Sequence, residues 1–306
     1  MALHRYAFHA MAATNEVQVH APDRASAEAM AARAVEEVQR IERKYSRYRA
    51  DSVVSRINAA AGKDAVAIDM ETEQLLEYAD ACWRQSGGLF DATSGVLRRV
   101  WRFEAGLRPP TDASLATVLP LIGWDRVERN AGTVRLPTAG MELDFGGFGK
   151  EYAVDRAAFA LREAGAASAL VNLAGDLAIL GAQPDGEPWR VAVQHPRRDG
   201  AALATLPVSS GAVATSGDYE RYRDVDGVRH CHVLDPRTGR SARGFQSVTV
   251  HAPSCLVAGS ATTVAMLKGR EAGLAWLEEL GLPHLCVLAD GTLVHHFNTA
   301  EGTQGA

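Results

Sequence analysis

From Asn15 to Ala21 polar and apolar residues alternate, with Val17 and Val19 on one side, the period of a half-buried strand. Pro22 and Asp23 then open a stretch in which Ala34, Val38, Ile41 and Tyr45 return at helical spacing, predicting a long helix with one buried stripe. A second helix is predicted over Glu71 to Ser86, with Leu75, Ala79, Cys82 and Trp83 inward and Gly87 and Gly88 as its stop. The polar, proline-bearing run Arg108 to Asp112 reads as a surface loop. Further on, Gly146-Gly147-Phe148-Gly149 runs into a helical pattern carried by Ala153, Val154, Ala157 and Leu161 and ended by Gly165. Short strands are predicted at 169–173, 189–194, 206–210 and 247–251, helices over 255–267 and 270–280, and a closing strand pair near Leu285 and Leu293. This order is mixed rather than a regular βαβ alternation, so the expected class is α+β, with mainly antiparallel sheets and packed helices. No internal repeat or low-complexity linker marks a boundary, and residues 1–306 are expected to form a single domain.

Composition narrows the function classes. The chain has 306 residues, 47% hydrophobic and 23% charged, with a net charge of −5, an ordinary globular balance. Its basic residues are scattered without a phosphate-tracking stripe, which argues against nucleic acid as a partner. Membrane insertion is not expected, because no apolar run reaches the roughly 18 residues a spanning helix needs. Met1 to Ala13 lacks the order of charges, apolar core and cleavage site of a signal peptide, so the expected location is cytoplasmic. Cys82, Cys231, Cys255 and Cys286 are too scattered for a zinc or dithiol motif and read as reduced, mostly buried thiols.

Four segments carry candidate chemistry. The glycine cluster before a helix, with Lys150 beside it, could cradle a phosphate at the helix N-terminus, although a tight strand-to-helix turn explains such clusters equally well. It is neither a P-loop nor GxGxxG. Thr215-Ser216-Gly217-Asp218-Tyr219 offers small hydroxyls beside glycine, and His230, His232 and Asp235 follow, before the turn Pro236-Arg237-Thr238-Gly239. The two histidines are expected on one face of a strand, with Asp235 close enough to orient one as a general base; a plain hairpin is the alternative. Phe90-Asp91-Ala92-Thr93 after a double glycine puts polar groups on a loop mouth. Ser260, Thr262 and Thr263 fall at an expected helix start, where simple capping is also possible.

In this order the segments resemble the FAD:protein FMN transferases, the ApbE family. Tyr45-Ser-Arg-Tyr followed by Ser52 and Asn58 is similar to the family's F-S-x-Y…S…N segment. Ser86 to Thr93 resembles G-x-F-D-P-T with Ala92 for proline, and Leu143 to Lys150 resembles D-x-G-G-x-A-K-G. Thr215 to Tyr219 matches T-S-G-D-Y, and His232 to Gly239 matches H-x-x-D-P-x-T-G. The resemblance, from about residue 11 to 296, implies an ApbE-like (T-fold-like) architecture. It further implies an enzyme that binds FAD, cleaves its pyrophosphate with Mg²⁺, and attaches FMN to a Ser or Thr hydroxyl of an acceptor flavoprotein. By position it implies His232 as base with Asp235 in support, and a FAD pocket lined by Met11, Asn58, Asp91, Thr93, Lys150, Thr215, Ser216, Gly217 and Asp218.

Two departures concern the metal. The family's A-D-A-x-x-T run, whose Asp and Thr bind the ion, is here Ala258-Gly259-Ser260-Ala261-Thr262-Thr263, so Thr263 survives and the carboxylate position is Gly259. Conversely, the glycine expected after the motif's lysine is Glu151. The expected ligands are therefore the Gly149 carbonyl, Thr263 and, as a replacement carboxylate, Glu151; the alternative is that Glu151 faces solvent or caps a helix and the metal is lost. Besides the transferase, a metal-dependent FAD hydrolase giving FMN and AMP, or a non-catalytic FAD-binding protein without a metal site, remains open.

Overall fold

The structure is a computed structural model that describes residues 1–104 and 107–297. It opens with a hairpin of β1 (Ala2–Ala10) and β2 (Ala13–Ala21), then α1 (Arg24–Tyr45), α2 (Val53–Ala59), β3 (Val66–Ala67) and α3 (Met70–Gln85). After 3₁₀ turns around Ser94–Arg99 come α4 (Asp112–Val118), β4 (Glu128–Asn130), β5 (Thr133–Arg135) and α5 (Gly149–Glu163). The strands β6 (Ala169–Leu173), β7 (Asp176–Leu180), β8 (Trp189–Gln194), β9 (Ala202–Val208), β10 (Gly211–Gly217), β11 (Tyr222–Val225), β12 (Val228–Cys231) and β13 (Phe245–Ala252) follow. The described chain closes with α6 (Cys255–Lys268), α7 (Arg270–Leu280), β14 (His284–Leu288) and β15 (Leu293–His296).

The main sheet has eight strands in the order β1-β2-β6-β7-β10-β13-β14-β15, each neighbouring pair antiparallel. The α+β expectation holds. Helices α1, α5 and α6 pack against this sheet, with α7 against α6. The hairpin β8–β9, buried on alternate residues, adds Trp189, Val191, Val193, Leu206 and Val208 to a second core with Leu170 and Ile179. Helix α6 is buried on most of its surface, which is why its sequence is apolar and small nearly all round rather than striped. No described helix is long and apolar enough to cross a membrane. All four cysteines are free and buried.

Several elements differ from the sequence reading. Strand β1 was not anticipated, because an edge strand with half-exposed alternate residues carries little apolar signal. It pairs with β2 through Met11 and Ala12, both at positive φ (52° and 61°), the twist a two-residue hairpin turn requires. The Arg108–Asp112 loop ends where α4 begins, capped by Thr111. Ser260, Thr262 and Thr263 are not at a helix start: α6 begins at Cys255 with Ser254 as its cap, so these residues sit inside the helix.

Candidate active site

The glycine turn leads the chain directly into α5. Asp144 accepts a hydrogen bond from the Gly146 amide at 2.8 Å and forms an ion pair with Arg47, which fixes the turn from both sides. Phe145 and Phe148 bury their rings below it, 4.9 Å apart. With the turn so held, Gly149, Lys150 and Glu151 form the first turn of α5, pointing into the space between that helix, α6 and the sheet.

Lys150 and Glu151 meet different partners. Lys150 Nζ lies 2.6 Å from Asp176 Oδ2 at the start of β7. Burial pulls the ammonium down, but Asp176 and Glu151 together outweigh it, so the lysine stays charged. Glu151 is buried, 8% exposed, and its Oε2 has no hydrogen-bond partner among the described residues. Burial, with Asp176 adding, pushes its carboxyl up to about 8, while Lys150 acts in the opposite direction. The solvent-facing alternative for this acid is thereby corrected.

Strand β10 brings the hydroxyl motif to the same place. Ser216 Oγ is 2.8 Å from Thr262 Oγ1 and 3.2 Å from Thr263 Oγ1 on α6. Thr215 Oγ1 is 2.9 Å from Thr249 Oγ1 on β13, and its amide donates to Asp176 Oδ1 at 3.3 Å. The Gly217 position closes β10, and Asp218 is held by Arg197 through two bonds of 2.6 and 2.7 Å. Lys150, Glu151, Asp176, Ser216 and Thr263 thus form one polar cluster at the meeting of α5, α6, β7 and β10.

His232 lies just past the end of β12, not on the strand, with its amide donating to Arg221 O at 3.0 Å. Its Nδ1 is buried and unpartnered among the described residues. Burial, then the charges of Arg221 and Lys150, lower its pKa to about 4, so the ring is neutral at pH 7 and free to accept a proton. Asp235 does not orient it. Its carboxylate accepts from the Arg237 amide at 2.8 Å and from Arg237 Nε at 3.3 Å, closing the Asp-Pro-Arg-Thr turn on itself. A recess of about 560 Å³ lined by His230, Asp235, Arg240 and Arg243 opens beside this turn. The turn is anchored from the other side by Trp101, whose Nε1 donates to Gly239 O at 2.7 Å.

Other expected pocket residues serve as braces. Asn58 exchanges two bonds with Leu143, 2.9 Å from Nδ2 to the carbonyl and 2.6 Å from the amide to Oδ1, which engages both ends of its amide to hold the start of the glycine motif. Asp91 accepts from Thr93 N, Thr93 Oγ1 and Trp124 N, and Thr93 Oγ1 accepts from Gly123 N. Both are buried, so they shape the loop and present no spare donors. Met11 sits on the β1–β2 turn, its amide bonded to Glu42 Oε1 at 2.5 Å. Trp101 and Trp124 are core residues, at 3% and 1% exposure.

Asp176, Arg221, Arg197 and Asp155 were missed from sequence. Asp155 accepts from the amides of Cys255 and Leu256 at 2.7 and 2.9 Å, capping α6 from α5. A carboxylate four residues after Glu151 was the available signal, but sequence alone does not say which helix it meets. Among the described residues, no three His, Cys, Asp or Glu side chains converge as metal ligands. A hard cation here would rest on one carboxylate, hydroxyl and carbonyl oxygens and substrate phosphate, the mixed set Mg²⁺ accepts. The unpaired Glu151 oxygen, against position 259 of the helix that carries Thr263, fits that requirement.

Known proteins share this fold and much of the sequence. The model of the ApbE family matches residues 11–286. An FAD:protein FMN transferase of Vibrio cholerae is 32% identical over 249 residues, covering 79% of this chain and 74% of its own length. The crystal structure of the ApbE protein of Thermotoga maritima superposes with a TM-score of 0.86 at 32% identity, covering 96% of this chain and 97% of that one. The apo flavinyl transferase ApbE of Pseudomonas stutzeri gives 0.86 at 29% identity, covering 98% and 95%. The ordered motifs and the sheet therefore have one source: the chain belongs to the ApbE family.

Proposed function

We propose that this protein is an FAD:protein FMN transferase that moves FMN from FAD to a Ser or Thr hydroxyl of an acceptor flavoprotein, assisted by Mg²⁺. The acceptor oxygen forms a bond to the FMN phosphorus, the pyrophosphate P–O bond to the AMP half breaks, and AMP leaves. His232 takes the proton of the attacking hydroxyl; its neutral ring and unpaired buried Nδ1 carry this assignment. Lys150 faces the phosphates and offsets charge that builds in the transition state. Thr215, Ser216, Gly217, Asp218 and Met11 line the FAD pocket, while Asn58, Asp91 and Thr93 hold its walls from behind. Asp235 fixes the turn that carries the base. Bound Mg²⁺, held by Thr263 and the Gly149 carbonyl, would withdraw charge from the pyrophosphate oxygens. Residues 1–306 act as one unit in this reading, supported by a main core that draws on β2, α1, α5, β13, α6 and β14.

Incubation with FAD, Mg²⁺ and a flavoprotein domain carrying an acceptor threonine, followed by intact mass, tests the reading. A metal-dependent gain of one FMN on the acceptor is the expected result. FAD that stays bound and uncleaved would turn the reading to a flavin-binding protein, and FMN plus AMP with no modified acceptor would turn it to a hydrolase.

A further inference from the structure

We propose that Glu151 and position 259 are interchangeable sources of a single metal-binding carboxylate, and that this chain supplies it from α5 rather than from α6. The inference rests on the transferase reading and concerns the same site. A Cβ placed on Gly259 would lie 2.5 Å from Glu151 Cγ and 2.9 Å from Glu151 Oε1. The Glu151 side chain therefore occupies the space a side chain at 259 would fill, and the missing Cβ is what admits it. Thr263, one helical turn after Gly259 on the same face of α6, has its hydroxyl 3.2 Å from Ser216 Oγ.

The neighbouring polar atoms are accounted for, which leaves the carboxylate as the unfilled group. Thr262 Oγ1 donates to the Gly259 carbonyl at 2.8 Å. Ser260 Oγ accepts from Tyr78 at 2.9 Å. Asp176 is paired with Lys150. Only Glu151 Oε2 is buried here without a partner among the described residues. A buried carboxylate oxygen without a donor is costly, and a bound cation is the partner that would relieve it. Glutamate is one methylene longer than aspartate, and that extra reach lets an acid on α5 deliver its oxygens across to α6.

Mn²⁺ binding, read by loss of the free-ion EPR signal in the presence of FAD, tests the exchange without measuring activity. FAD affinity in EDTA, read by flavin fluorescence, runs alongside. Glu151→Gln keeps the shape and removes the charge, and should weaken Mn²⁺ by about tenfold or more while FAD affinity in EDTA holds. The double variant Glu151→Gly/Gly259→Asp returns the carboxylate from the other helix and should recover Mn²⁺ binding. Mn²⁺ affinity unchanged in Glu151→Gln overturns the proposal, as does a folded double variant that remains as weak as Glu151→Gln. If the double variant does not fold, the Glu151→Gln result decides alone. Wild-type protein that binds FAD yet takes up no Mn²⁺ would instead overturn the metal-assisted reading beneath it.

Discussion

A falling pH should destabilise this protein through His232, by an amount the site fixes. Partial burial of the imidazole, with the charges of Arg221 and Lys150 adding, lowers its pKa to about 4. In the unfolded chain it returns to its ordinary value of about 6.5. Between those values the unfolded state binds a proton that the folded state refuses, so stability is fully present above the unfolded pKa and is lost as pH falls. At pH 5 the unfolded ring is nearly all protonated while about nine-tenths of folded rings are still neutral, so lowering the pH from 7.5 to 5 costs about 2 kcal/mol from this residue. Other groups titrate over the same range, so the measurement is a difference. Urea unfolding of wild type and of His232→Gln at both pH values should show the variant losing about 2 kcal/mol less on acidification. Equal losses in the two proteins would mean that the ring is solvated and ordinary, and the argument for a neutral, desolvated base would fall with it. FAD should reverse part of the effect: its pyrophosphate brings negative charge to the positive pair that depresses the histidine, so the bound protein should lose less stability on acidification.

Three further outcomes follow from the braces. Asn58→Ala leaves both the amide and the carbonyl of Leu143 unpaired, and should cost about 2–3 kcal/mol by urea unfolding; a loss under about 0.5 kcal/mol would show that water replaces the pair. Asp155→Ala strips two donors' partner from the first turn of α6 and should cost about 3 kcal/mol, with Asp155→Asn recovering part of it; equal stability of all three proteins would refute the cap. Trp101→Phe keeps the ring in its core and removes one bond to Gly239, so about 1 kcal/mol should be lost; a wild-type urea midpoint would discount that bond as an anchor of the turn.

Much of the fold was legible because its periods are plain. The stripe Ala34, Val38, Ile41, Tyr45 is the buried face of α1, and the apolar run 169–173 is β6. What escaped was set by context rather than by local pattern. Strand β1 is half-exposed along its length, so its alternation is weak and its pairing with β2 supplies the evidence that the residues do not. In the site, ordered motifs point to segments but not to the direction of each side chain. Asp91, in a loop, and Asn58, in the last turn of α2, turn their polar atoms inward onto neighbouring backbone. Asp235 is close to His232 in sequence, and a tight turn that binds its own backbone has the first claim on the carboxylate. Asp176 lies outside the family's motifs, and the packing of α5 on β7 puts it beside Lys150.

The two departures from the family's motifs, Glu151 and Gly259, are neighbours in the packing. Glu151 meets position 259, and Asp155, one turn further along α5, meets Cys255, one turn earlier on α6. The two helices therefore run antiparallel in a register pinned by the Asp155 cap. In that register the residue after Lys150 and the residue at 259 share one volume, which has room for one side chain. A carboxylate on both helices would collide and repel, and glycine on both would leave a polar cavity without an acid. On the proposed exchange, Glu151 and the absent acid at 259 are one change seen from two helices. A motif scored one position at a time counts two defects where the packing has one shared volume.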